Sequence, residues 1–170
     1  MPTVSLRYSF RQPFRVPART AYAWCTDFGP EDGPLFSNPT RRSVRRVAAD
    51  AWILTDTTGR PPNTRRIRRL VRIDPEGMAW TNTHLDGPFR HSQYWYRVVP
   101  DGSRRSHLEF TGFRLVTIDR PISPAEVARR SMEERRHDAR EWRRFLTPAL
   151  ERDCRPAPAR SRVGSRVLAA

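Results

Sequence analysis

At 170 residues and 37% hydrophobic content, the chain suits one domain with a single core rather than several. Its net charge of +14 comes from 32 basic residues, every one an Arg, set against 18 acidic ones. No segment approaches the roughly 20 apolar residues of a membrane span, the start MPTVSLRYSF lacks a signal-peptide pattern, and two cysteines without metal-ligand spacing argue against a zinc site or disulfide framework.

In chain order, Val4 to Phe14 alternates apolar Val4, Leu6, Tyr8 and Phe10 with Ser5, Arg7 and Ser9, which predicts a strand. Pro17 opens a short helix to about Asp27, with Ala21, Tyr22, Cys25 and Phe28 at helical spacing. The Gly- and Pro-rich GPEDGPLFSNP breaks regularity and has room for one helical turn. Strands follow over Arg42–Val47, Ala51–Thr58, Arg65–Ile73, Gly77–Leu85, Arg90–Pro100 and Ser103–Val116. Short turns such as DPEG and PDGS separate most of them, which points to an antiparallel meander.

Ser123 to Arg152 reads as a long helix. SPAE supplies a Ser cap, Pro at the first position and Glu three residues on. Ala128, Met132, Arg135, Ala139, Trp142, Leu146 and Ala149 predict one face. Pro148 predicts a kink or a fresh start at Thr147. The folded domain is expected over residues 3–152. Residues 153–170, rich in Arg, Pro, Ala and Ser, are expected to form a disordered basic tail.

The order strand, short helix, six strands, long helix resembles the START/Bet v 1-like superfamily, also called SRPBCC or the polyketide cyclase/dehydrase and lipid-transport proteins. VPARTAYAWCTDF resembles that family's entry into its first helix, and YRVVPDGSRRSHLEF its last hairpin, although GSRRS stands where a Gly-Thr is often found. The resemblance implies an α+β helix-grip fold: a seven-stranded curved antiparallel sheet around a long C-terminal helix, short helices after strand 1, and a cavity between. It also implies several functions, from carriers and sensors to cyclases and aromatases.

Alternation then assigns faces. Ser106, Leu108, Phe110 and Gly112 should point inward, as should Tyr94, Tyr96 and Val98, leaving Trp95 and Val99 to face outward or cover an edge. Met78, Trp80, Asn82 and His84 share a face. There Asn82 or His84 could orient a ligand or move a proton, or simply bond to backbone. Arg69 is in phase with the inward aliphatics Ile67, Val71 and Ile73. Either it meets an anionic ligand group or a bulge or strand end lets it reach water. Arg135 on the helix stripe poses the same choice, with snorkelling as the alternative. His91 and His107 read as exposed.

The candidate ligand-binding residues are Trp52, Arg69, Trp80, Asn82, Tyr94, Tyr96, Phe110, Met132, Arg135 and Trp142. No metal or cofactor is expected, and a reduced, cytoplasmic setting fits the cysteines. Three functions follow: binding of a small hydrophobic or aromatic ligand as carrier, sensor or transfer protein; a cyclase or aromatase-like enzyme using Tyr94, Tyr96, Asn82, His84 and Arg69; or contact with nucleic acid or an anionic membrane. The third rests on Arg41–Arg72, where ten Arg face only Asp50 and Asp56, and on the tail from Arg155, with four Arg and no acid.

Overall fold

The computed structural model describes residues 2–35, 40–59 and 62–154. The tail from Arg155 lies outside the described residues. In chain order the elements are β1 (Thr3–Phe14), α1 (Ala18–Cys25), a 3₁₀ segment (Pro30–Leu35), β2 (Thr40–Ala48), β3 (Ala51–Thr58), β4 (Arg65–Asp74), β5 (Ala79–His84), β6 (Gln93–Pro100), β7 (Ser106–Thr117) and α2 (Pro124–Glu141). A π-turn (Trp142–Leu146) and α3 (Thr147–Asp153) complete the long C-terminal helix.

All seven strands form one antiparallel sheet in the order β1-β7-β6-β5-β4-β3-β2. Consecutive strands β2 to β7 make the expected meander, and β1 returns to pair with β7. In β1 the inward residues Leu6, Tyr8, Phe10, Gln12 and Phe14 are buried while Arg7, Ser9 and Arg11 face water. Phe10 stacks on its ladder partner Phe110 at 4.6 Å. Gly112 lies opposite Tyr8, and a Cβ there would sit 2.6 Å from the Tyr8 ring. The missing side chain is what lets the ring lie across the ladder.

The C-terminal helix begins as expected: Ser123 Oγ accepts the Glu126 N–H at 3.2 Å and Pro124 takes the first turn. Its inward face departs from the expected stripe. Met132 is 42% exposed and Arg135 is exposed, its Nε–H donating to the Ser9 carbonyl. Ala139 is half-buried against the core as expected, but at Ala128, Met132 and Arg135 the half-buried positions are instead Val127, Ser131 and Glu134, each one residue earlier, and Asp138 joins them. The π-turn is the cause. Pro148 has no N–H to donate, and the Thr147 N–H reaches back five residues to the Trp142 carbonyl. A π-turn holds one residue more than an α-turn, so residues facing the sheet before and after it do not share one 3.6 period. α2 consequently buries no side chain completely, whereas the following turns bury Trp142, Leu146, Ala149 and Leu150.

Candidate functional site

Between the concave sheet face and the C-terminal helix lies a cavity of about 440 Å³, within the range of small-molecule sites. Its apolar wall is aromatic. Trp80 and Tyr96 stack in parallel at 4.7 Å, Phe110 meets Tyr96 edge-on at 5.0 Å, and Trp142 closes over Tyr96 from the helix at 6.4 Å. Alternation on three neighbouring strands creates this wall, because Trp80, Tyr96 and Phe110 stand in direct register. Exposed Arg65 and His137 mark where the cavity meets solvent.

The polar wall has two ionic clusters. In one, Arg42 bonds Asp56 at 2.8 Å and Asp32 at 3.1 Å, and Arg69 also pairs with Asp56. In the other, Arg114 pairs with Glu134 and lies 3.7 Å from Asp138, while its Nε–H donates to the Tyr94 hydroxyl at 3.0 Å. Tyr8 donates to Asp138 Oδ2 at 2.6 Å. Burial raises the pKa of Asp32 to about 6 despite Arg42, and raises that of Asp138 against the pull of Tyr8 and Arg114. Burial also brings Arg69 down to about 10, with Arg42 adding to the effect.

Three buried polar atoms on this wall have no hydrogen-bond partner among the described residues: Arg69 Nε, Asn82 Oδ1 and His84 Nδ1. They belong to one corner, since Arg69 is directly opposite His84 across β4 and β5, and Asn82 is two residues from His84 on the same face. His84 is held neutral, its pKa brought down to about 3 by burial and by Arg69 and Arg114.

Of the candidates read from sequence, Arg69, Trp80, Asn82, Tyr94, Tyr96, Phe110 and Trp142 line the cavity, as does His84. Trp52 is on the inner face but packs under Phe28 at 5.8 Å and is outside the lining. Met132 and Arg135 are also outside it, because of the one-residue phase shift. Arg69 sits in an unbroken ladder, so neither a bulge nor a strand end carries it to water; Asp56 satisfies its charge. His107 is not the exposed residue expected: its side chain is 13% exposed and bonds Asp101 at 2.7 Å. His91 is exposed.

Asp32, Arg42, Asp56, Arg114 and Asp138 also line the cavity and are not identified by the sequence reading. Parity contains a signal for two of them. Arg114 continues the inward series of β7, and Asp56 that of β3. Among the described residues no cluster of His, Cys, Asp and Glu has the form of a metal site, and no helix is long and apolar enough to cross a membrane.

The sheet, its gripped helix and the cavity between them define the START/Bet v 1-like, or SRPBCC, fold. By sequence, no family model and no curated protein matches the chain. Among solved structures it resembles the ZhuI aromatase/cyclase from a Streptomyces species, with TM-score 0.67 and 16% identity over 89% of this chain and 97% of that one. A START superfamily protein from Mycobacterium smegmatis matches with TM-score 0.62 and 16% identity, covering 86% and 97%. Norcoclaurine synthase from Thalictrum flavum, in complex with dopamine and hydroxybenzaldehyde, matches with TM-score 0.57 and 12% identity, covering 80% and 88%. At these identities the likeness shows the fold.

Proposed function

We propose that the cavity binds a small, neutral aromatic molecule carrying hydroxyl or carbonyl oxygens. The observation that carries this reading is the unsatisfied corner of Arg69 Nε, Asn82 Oδ1 and His84 Nδ1 set in an aromatic wall. Buried polar atoms left unpaired are costly, and a ligand offering both a donor and an acceptor removes that cost. A carboxylate suits the site less. Arg69 and Arg42 already hold Asp56, and Arg114 already pairs with Glu134, so an added anion meets neutralised cations and nearby carboxylates.

Binding of three probes of one size tests it, followed by tryptophan fluorescence: a meta-dihydroxynaphthalene, the matching dimethylnaphthalene and a naphthoate. The diol should bind about tenfold tighter than either of the others, as two net hydrogen bonds imply. A tighter naphthoate, or a dimethyl compound equal to the diol, removes the polar-corner reading. Failure of all three to bind removes the ligand cavity itself.

A second reading, a cyclase-like enzyme, is favoured by Asp138. Its carboxylate faces the cavity, its pKa is raised by burial, and it accepts the Tyr8 hydroxyl, as suits a group that exchanges a proton with a substrate carbon between two carbonyls. The protein should then speed deuterium exchange at that carbon of benzoylacetone, and Asp138→Asn should abolish the acceleration. No acceleration by the unaltered protein excludes this reading.

A further inference from the structure

The outer face of the sheet, turned away from the cavity, carries arginines that the fold pairs only in part. Side-chain alternation puts Arg42 and Arg69 inside and places Arg41 and Arg45 of β2 and Arg66, Arg68 and Arg72 of β4 together outside, all five exposed. The ladder sets them close. Arg41 and Arg66 flank Thr57, and Arg45 lies beyond Ile53 from Leu70. Arg68 is tied to Asp86 at 2.6 Å and Arg72 to Asp50 at 3.0 Å. Among the described residues Arg41, Arg45 and Arg66 make no ion pair, although Arg66 lies near enough to Asp86 to help lower its pKa alongside Arg68.

Arginine on β2 has a structural use, because β2 is an edge strand and charge deters strand addition. That use does not extend to β4, which has strands on both sides. The same face also exposes an aromatic ring. Trp95 of β6 is 42% exposed and stands in register between Thr81 and Thr111, whose short side chains leave its ring accessible. Arg72 continues that row through Thr81.

We propose that this outer face docks single-stranded nucleic acid, with Arg41, Arg45 and Arg66 on phosphates and Trp95 stacked on a base. Guanidinium matches phosphate in geometry as well as charge, and same-face positions along a strand recur at about 6.7 Å, a spacing that lets neighbouring arginines reach separate phosphates. Arg72, two strands from Trp95 in the same row, lies between the ring and the arginines further along β4, and a sheet surface that carries both basic side chains and an open ring suits a single strand held without reading its sequence. A bilayer suits this surface less. Membrane docking relies on several apolar side chains that project into the interface, whereas on β2 to β4 Val47 is 44% exposed but Ile53 and Leu70 lie half-buried in the sheet between arginines.

The test uses the full chain and a fluorescein-labelled oligothymidylate, read by anisotropy, with phosphatidylserine-containing vesicles run in parallel. Three phosphate contacts on a single strand predict a slope of about −2 in log affinity against log salt. The triple variant R41Q/R45Q/R66Q should abolish most binding and flatten that slope. Trp95→Ala should weaken binding about tenfold with the slope unchanged. All four substitutions are on exposed positions, and circular dichroism checks that the fold survives them. Oligonucleotide binding that the triple variant leaves intact overturns the proposal, as does vesicle binding without oligonucleotide binding, or no binding to either.

Discussion

Arg69 and His84 face each other across the ladder between β4 and β5, and each leaves one ring or guanidinium nitrogen unpartnered toward the cavity. A cation opposite a neutral imidazole is a stable arrangement only while the imidazole stays unprotonated. The pair therefore ties the polar corner of the cavity to pH.

His84 takes a proton near pH 6.5 in the unfolded chain but only near pH 3 in the folded one. The stability it contributes is present above pH 6.5 and is lost as pH falls toward 3. Asp32, with its pKa raised to about 6, acts in the opposite sense and favours the fold as pH falls from 6 toward 4. Comparison with His84→Gln isolates the histidine. Between pH 7 and pH 5, urea denaturation should show the unaltered protein losing about 2 kcal/mol more than the variant.

Asp56 holds Arg42 and Arg69 together. Asp56→Asn leaves the Arg69 charge without its carboxylate and should destabilise by about 3 kcal/mol. Adding Arg69→Met to that variant should recover much of the loss, a coupling that a double-mutant cycle measures directly. Simple addition of the two losses would show that the charges are not coupled.

Gly112 leaves room for the Tyr8 ring, and a Cβ there would fall 2.6 Å from it. Gly112→Ala should cost about 1–3 kcal/mol, because the obstruction is a packed ring rather than a flexible chain end. The ring's displacement should also break the Tyr8–Asp138 hydrogen bond, visible as a shift of the Asp138 carboxyl resonance.

The two halves of the C-terminal helix are held differently. α2 is attached through Glu134 and Asp138 to Arg114 and Tyr8, while α3 is attached through buried Ala149 and Leu150. Amide hydrogen exchange should be faster over Pro124–Glu141 than over Thr147–Asp153, and Glu134→Gln with Asp138→Asn should accelerate only the first half. Uniform exchange along both halves would contradict this division.

Much of the fold is legible because its strands alternate cleanly and its turns are short. Tyr94, Tyr96, Trp80, Asn82 and Phe110 are found from period two alone, since one slip would put every one of them in water. Charge obscures the rest. Asp56, Arg114 and Asp138 occupy inward positions, but an ionisable residue reads as solvent-facing until its partner on another element is known. Asp32 belongs to a segment without periodicity. Met132 and Arg135 fall outside the cavity because one extra residue in the π-turn resets the helix face, and only the missing N–H of Pro148 hints at it.

The proposed ligand is an oxygenated aromatic molecule held between the sheet and the helix. Intermolecular NOEs from bound meta-dihydroxynaphthalene to the five tryptophans and four tyrosines locate it most directly. Contacts are expected to the rings of Trp80, Tyr96 and Trp142, which line the cavity, with none to Trp95. Contacts confined to Trp95, or to any ring on the outer face, would contradict this placement.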